Sequence, residues 1–208
     1  MKSADKRNQA RKEAFIEVEK NKLWGDEHLS GWGSTIEVTK VTREIIEKVV
    51  NDYGIKSMVD AACGDFRWMP LVLGKLPEGF VYTGCDIVPA LIEKNSNAYP
   101  QYKFKVNDFV KDGVPVADLI FCRDALQHIT VDDIKDALEG FSKSGAKYLL
   151  ATTHLRRYGW RNGRDIKVGK CRDRNLIYEP FNLPNPLVIY SEQYENKFLG
   201  LWKLPFNE

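Results

Sequence analysis

The residues best placed to do chemistry fall at the ends of two apolar runs. The first run passes Met58 and Val59 into Asp60-Ala61-Ala62-Cys63-Gly64-Asp65-Phe66, and the second ends in Gly84-Cys85-Asp86. A glycine turn after a strand lets the backbone approach a ligand closely, and a carboxylate at the tip of the next strand can accept both hydroxyls of a ribose. The pairing points to an adenosine derivative. A dinucleotide fingerprint, GxGxxG, would set three glycines around a pyrophosphate. Here Ala62 and Phe66 stand where two of those small residues would be, and Phe66 would crowd a diphosphate. Asp60, Gly64 and Asp65 instead suit a ligand that carries an amino group and no phosphate, and S-adenosylmethionine (SAM) is such a ligand.

A second constellation follows the run Asp118–Cys122, in Arg123-Asp124-Ala125-Leu126-Gln127-His128. An alkyl hydroxyl keeps its proton at neutral pH, so methylating one needs a general base within hydrogen-bond reach, whereas an amine needs much less help. His128 is the first candidate, with Asp124 at i−4 placed to orient the imidazole and stabilise its charged form. Asp124 acting directly is the close competitor, and His154 is the third. The plainer reading of His128 is an anchor for the loop before Val131. Trp24, Trp32, Trp68 and Trp160 could stack on the apolar face of a sugar or serve as core; Trp32 and Trp160, set among glycine and polar residues, are the better placed for a ligand. Cys63, Cys85, Cys122 and Cys171 have no CxxC spacing, so free thiols are expected and no metal site.

These residues need elements to hold them, and strands and helices alternate from Ser57 onward. Strands are predicted over 57–61, 80–85, 102–106, 116–122 and 146–152, with helices over 66–74, 89–98 and 131–141. Such β-α repetition implies a doubly wound, mainly parallel sheet covered on both faces. Ahead of it, residues 4–22 read as a charged surface helix without chemistry. A loop over 29–35 leads to a helix capped by Ser34 or Thr35, with Val38, Val41, Ile45, Ile46, Val49 and Val50 at helical spacing. After Thr153 the alternation stops. Residues 154–186 are too long for a passive connector and read as a binding insertion, and 187–190 with 198–204 as a closing hairpin at the sheet edge.

With 208 residues, 43% of them hydrophobic and 29% charged, the chain fits one soluble domain over 1–208. Within it, 1–35 would form the N-terminal helix and cofactor-closing loop, 36–153 the cofactor-binding core, and 154–208 the acceptor-binding insertion and closing strands. No apolar run is long enough to span a bilayer and the basic N-terminus lacks a secretory core, so a cytoplasmic, intracellular location without membrane contact is expected. The formal charge of +2 hides a basic run of Arg156, Arg157, Arg161, Arg164, Lys167, Lys170, Arg172 and Arg174. That run is either a solvated face or a surface for something anionic.

Taken in order, these motifs resemble those of the class I SAM-dependent methyltransferases, over roughly residues 30–153. The resemblance implies a Rossmann-like sheet of about seven strands, the last antiparallel. It also implies a cofactor site in which Asp60, Ala62, Cys63 and Gly64 lie under the methionine part, Asp86 holds the ribose, Asp108 and Phe109 flank the adenine, and Ile87 and Arg123 line the site. Ala62 departs from the usual glycine. A narrower resemblance, carried by Ser30-Gly31-Trp32-Gly33-Ser34, Cys63-Gly64-Asp65-Phe66-Arg67-Trp68-Met69 and Asn162…Asp165…Gly169…Pro180-Phe181, is to small glycan methyltransferases such as those of large algal viruses. It implies methylation of a sugar hydroxyl, such as that of rhamnose, with S-adenosylhomocysteine (SAH) as product and, for a viral protein, the host cytoplasm as its location. Gly33 and Ser34 would close over the cofactor, and Trp32, Trp68, Trp160, Asn162 and Asp165 would receive the acceptor. The rivals are a nucleic-acid methyltransferase using residues 155–174 and a non-catalytic SAM-binding module.

Overall fold

The computed structural model describes residues 3–25, 30–155 and 162–206. In chain order the elements are α1 (Ser3–Lys20), a 3-10 turn (Trp32–Ser34), α2 (Lys40–Asp52), β1 (Ser57–Asp60), α3 (Pro70–Leu73), β2 (Val81–Asp86), α4 (Pro89–Ala98) and β3 (Lys103–Val106). They continue with β4 (Leu119–Cys122), a second 3-10 turn (Leu126–His128), α5 (Val131–Ser142), β5 (Tyr148–His154), β6 (Val188–Ser191) and β7 (Lys197–Lys203). Seven strands form one sheet in the order β3-β2-β1-β4-β5-β7-β6. β1 to β5 run parallel, while β7 lies antiparallel to both β5 and β6. This is the doubly wound arrangement expected, with the final strand reversed.

Alternation along the strands explains why both faces are covered. Val59, Ile120 and Leu149 point into one core with Ile134, Leu138 and Phe141 of α5. Their neighbours Met58, Leu119 and Leu150 point into the other with Ile45, Ile46, Val49 and Val50 of α2. Strands buried on both sides read as continuous apolar runs, and that is the signal they gave in the sequence. Thr35 does cap a turn, its Oγ1 accepting from the Val38 amide at 3.3 Å, but α2 proper starts only at Lys40.

Two expectations need correction. The helix predicted over 66–74 is a single turn from Pro70, because Gly64 and Phe66 both take left-handed backbone, with φ 55° and 56°. Phe66 consequently turns away from the ligand side and packs edge-on among Tyr99, Tyr102 and Phe104, at centroid distances of 4.9, 5.5 and 4.9 Å. It does not crowd the turn. The charged N-terminal helix is not a passive cap either. Arg7 reaches Asp132, Asp133 and Asp136 of α5, and Arg11 binds Asp133 at 2.7 Å and Asp108 at 2.6 Å.

On β7, the Trp202 indole folds back over Gly200 and donates from Nε1 to the Pro184 carbonyl at 2.8 Å. A Cβ at position 200 would lie 2.3 Å from that ring, which is 1% exposed and has nowhere to move. Gly200→Ala should therefore cost about 1–3 kcal/mol through overpacking and lower the melting temperature by several degrees. An unchanged melting curve would contradict this packing.

Candidate functional site

The carboxyl ends of β1, β2 and β4 open into one cleft of about 1050 Å³ including its mouth, walled on one side by α1 and Trp24. Crevices at strand ends are where open α/β sheets bind ligands. Of the residues expected to touch a cofactor, Ser34, Asp60, Ala62, Cys63, Gly64, Asp86, Ile87, Asp108, Phe109 and Arg123 all line it. Gly33 does not, though its carbonyl accepts from Arg123 Nη1 at 2.9 Å.

The turn after β1 is built around close backbone approach. Asp86 accepts from the Gly64 amide at 3.0 Å and from the Val88 amide at 3.0 Å, and Asn95 Nδ2 donates to the Gly64 carbonyl at 2.8 Å. Ser30 Oγ accepts from the Asp65 amide at 2.8 Å, and a Cβ on Gly64 would fall 2.2 Å from that oxygen. Only glycine fits there, on grounds of both space and φ. Burial pushes the Asp86 carboxyl up from its ordinary value, opposed by those backbone donors. Burial also drives the Asp60 carboxyl to about 7, against the 3.0 Å hydrogen bond it accepts from the Tyr82 hydroxyl. Burial raises the thiols of Cys63, Cys85 and Cys122 as well, which keeps them protonated and unreactive. Among the described residues no group of three or more His, Cys, Asp or Glu side chains is arranged to hold a metal.

Beyond β4 a network of charges sets the other half of the cleft. Arg123 donates from Nε to Glu192 at 2.6 Å and lies 3.1 Å from Asp124, which also accepts from Lys197 at 3.1 Å and Gln127 at 2.8 Å. Asp124 takes left-handed backbone, φ 52°, with its amide donating to Thr152 Oγ1 at 2.9 Å. Burial works against its charge, but Arg123 and Lys197 overcome it and hold the carboxyl well below the usual carboxylate range. So held, Asp124 is ionised and a poor proton acceptor.

His128 is differently placed. It lines the cleft, stacks on Trp24 with ring centroids 4.7 Å apart, and sets Nδ1 3.1 Å from the Lys170 carbonyl. A carbonyl only accepts, so Nδ1 carries the proton and Nε2 of the neutral ring keeps its lone pair. Burial lowers its pKa from the ordinary value, with Asp124 pulling the other way. The insertion creates this geometry, because the Gly169 amide donates to the His128 carbonyl at 2.9 Å and the Arg172 amide to the Gln127 carbonyl at 3.0 Å. His154, by contrast, lies outside the cleft lining. Its Nδ1 accepts from the Arg174 amide at 3.1 Å, and its Nε2 faces Asp173 at 3.7 Å.

The residues expected to receive an acceptor are mostly elsewhere. Trp68 lines the cleft, but Trp32 is 65% exposed outside it, and Trp160 falls outside the described residues. Asn162 spends its side chain on the backbone of Asn175, Tyr178 and Glu179, and Asp165 accepts from the Val131 amide at 3.1 Å. Asn162 thus ties the insertion to itself, and Asp165 ties it to α5. Arg174, part of the basic run, is buried and donates to the Asn162 and Arg164 carbonyls; Arg156, Arg157 and Arg161 lie outside the described residues. Arg11, Phe15, Val18 and Glu19 of α1 line the cleft without having been singled out for it. Their helix owes its place to ion pairs and carries only a weak apolar stripe, so hydrophobic spacing gave no warning.

The raised Asp60 carboxyl has a consequence for stability. Folding lifts it from 3.8 to about 7, so its contribution is present below the unfolded value and lost as pH rises through that window. Asp60→Asn, which keeps an acceptor for Tyr82, should thus gain melting temperature over wild type by a few degrees more at about pH 8 than at about pH 5. A pH-independent difference would contradict the burial of charge at this position.

No family model matches the sequence, and no curated protein does. Solved structures do resemble it. The 1,6-didemethyltoxoflavin-N1-methyltransferase of Burkholderia thailandensis, solved with its namesake ligand and SAH, aligns at 12% identity and TM-score 0.67 over 98% of this chain and 91% of that one. The N-methyltransferase NodS of Bradyrhizobium japonicum, solved with SAH, aligns at 11% identity and TM-score 0.63 over 92% and 99%. Mitomycin 7-O-methyltransferase MmcR aligns at 15% identity and TM-score 0.66 over 91% and 60%. At such identities the likeness is one of architecture, and the chain has the fold of the SAM-dependent methyltransferases.

Proposed function

We propose that the chain is a SAM-dependent O-methyltransferase in which His128 takes the proton of the acceptor hydroxyl. The observation that carries this reading is the histidine at the cleft wall whose Nδ1–H is fixed on the Lys170 carbonyl, leaving Nε2 basic. The fit to the cofactor rests on two buried groups of opposite character that make no hydrogen bond, Asp65 Oδ2 having only the Arg67 guanidinium at 3.6 Å as an ion-pair partner. Among the described residues, Arg123 Nη2 is a buried donor and Asp65 Oδ2 a buried acceptor, each without a hydrogen bond, and both side chains line the cleft. An α-amino acid end would supply a carboxylate to the first and an ammonium to the second. In this reading Asp86 would hold the ribose and Asp108 and Phe109 would flank the base, and all of these, with Ile87, line the cleft. When bound, SAM supplies an electrophilic methyl group on a sulfonium centre.

The protein's part is to place and deprotonate the acceptor. His128 stays neutral near pH 7 because burial depresses its pKa, and the ionised Asp124 stabilises the imidazolium that forms on proton uptake. Asp124 itself is too strongly held by two cations to serve as the base. For the acceptor we infer a sugar hydroxyl of a glycan. That inference draws on the Ser30–Ser34 loop, whose Ser30 closes on the Asp65 amide, and on Trp24 and Trp68, which present aromatic surface to the cleft. A nucleic-acid acceptor has less to recommend it, since the net charge is +2 and Arg174 of the basic run is turned inward.

His128→Ala should lower turnover on the order of a hundredfold or more while leaving SAH affinity unchanged. Wild-type activity should fall as pH drops through a value under the ordinary histidine 6.5, and that acid limb should vanish in the variant. Near-normal turnover of the variant would remove His128 from the reaction. Asp86→Ala should weaken SAH binding by at least about tenfold, and retained affinity would show that the ribose lies elsewhere. Mass spectrometry of a glycan and nucleotide panel after incubation with isotopically labelled SAM decides the acceptor class. Label on a sugar oxygen is expected; label confined to nucleotides would overturn the glycan reading, and label nowhere would leave a binding module.

A further inference from the structure

Among the described residues six carboxylates line the cleft, and five of them are answered by the protein itself. Asp108 and Asp124 hold guanidiniums, Asp65 has Arg67 at 3.6 Å, Asp86 takes the Gly64 and Val88 amides, and Asp60 takes the Tyr82 hydroxyl. Glu19 of α1 is the sixth. Among the described residues its carboxylate has no hydrogen-bond or ion-pair partner, although the residue is partly buried. The guanidiniums of the cleft are spent elsewhere, Arg11 on Asp108 and Asp133 and Arg123 on Asp124 and Glu192.

The register of α1 puts Glu19 at the His128 end of the cleft. Arg11, Phe15, Val18 and Glu19 recur at i, i+4, i+7 and i+8, so they share the helix face turned to the cleft. Arg11 is fastened to Asp108 after β3, and Glu19 lies eight residues on, about 12 Å further along the helix axis. Its neighbours give the same direction. Val18 abuts Gly169, where an added Cβ would fall 3.2 Å from Val18 Cγ2, and the Gly169 amide donates to the His128 carbonyl at 2.9 Å. Phe15 meets Trp24 edge-on at 6.1 Å, and Trp24 covers the His128 ring at 4.7 Å. The unanswered carboxylate therefore lies toward the base and away from Asp108.

A carboxylate shut off from water by a bound ligand is strongly destabilised unless the ligand brings it a positive charge, and a neutral hydroxyl compensates it only in part. An ammonium near an indole also gains from the face of the ring. We propose that Glu19 binds a protonated amine on the acceptor, so that the substrate is an aminodeoxy sugar methylated on one of its hydroxyls. The hydroxyl oxygen bonds to the methyl carbon of SAM, the electron pair of the broken C–S bond stays on sulfur to give SAH, and the hydroxyl proton goes to His128 Nε2. The ammonium keeps its protons and serves as a handle. This rests on the cleft being the site of an O-methyltransferase with His128 as its base.

The test uses methyl hexosides and the matching aminodeoxyhexosides, which differ by one hydroxyl against one ammonium. They are assayed near neutral pH with isotopically labelled SAM on wild type, Glu19→Gln and Glu19→Asp. Wild type should turn over the best aminodeoxyhexoside with a kcat/KM at least about tenfold above that of its hydroxy partner, with the label on oxygen. Glu19→Gln should erase that preference by raising KM and not by lowering kcat, and Glu19→Asp, which keeps the charge, should retain part of it. Equal kcat/KM for the two sugars in wild type, or a preference that survives in Glu19→Gln, would overturn the proposal. So would a Glu19→Gln protein that loses affinity for SAM but not for SAH, since that puts the carboxylate at the sulfonium. Label on nitrogen, or on no sugar while SAH still binds, would overturn the sugar O-methyltransferase reading beneath it.

Discussion

Arg123 carries its charge with a side chain only 4% exposed, and three separate parts of the chain meet on it. Nε holds Glu192, which follows β6 and also accepts from Thr42 of α2; Nη1 holds the Gly33 carbonyl; and Asp124, its neighbour in sequence, shares the charge with Lys197 of β7. Two cations and two anions balance locally, which is what lets such groups lie in the interior. Removing one partner of a buried pair commonly costs 3–5 kcal/mol because the other is left uncompensated, as a typical figure of about that size. The N-terminal loop, the closing hairpin and the end of β4 are thus tied to one guanidinium, and the cleft exists in its present shape because of that tie.

From this point the chemistry follows by short steps. Asp124 is fixed in left-handed backbone and kept ionised by Arg123 and Lys197. Its field reaches His128, where it opposes the effect of burial. The insertion contributes Lys170 as acceptor for Nδ1 and Gly169 as donor to the His128 carbonyl, while Trp24 covers the ring from the side of the N-terminal helix. A segment that reads as an acceptor-binding loop therefore also has a nearer task, setting the tautomer and orientation of one histidine.

The parts of this arrangement that were legible in the sequence are those governed by local backbone demands. Gly64 is read from its turn, Asp86 and Asp108 from their places after apolar runs, and the parallel sheet from strands apolar on both faces. What was illegible depends on long-range pairing. Arg11 with Asp108 and Asp133, and Arg123 with Glu192, join positions far apart, and charged residues in a chain with many others carry no mark of their partners. Phe66 misled for a different reason. Its place in the motif suggested a helix and a crowded turn, whereas the aromatic residues of β2, β3 and the α4–β3 connection offered it a core, and the backbone adopts a left-handed conformation to reach it.

The account's central claim is that this cleft takes the S-adenosyl group with its ribose at Asp86 and its amino-acid end between Asp65 and Arg123. A crystal structure of the protein grown with SAH tests it most directly. The account predicts density in the cleft with the ribose hydroxyls on the Asp86 carboxylate and the ligand carboxylate on Arg123 Nη2. Density for SAH outside the cleft, or in it with the ribose away from Asp86, would contradict it.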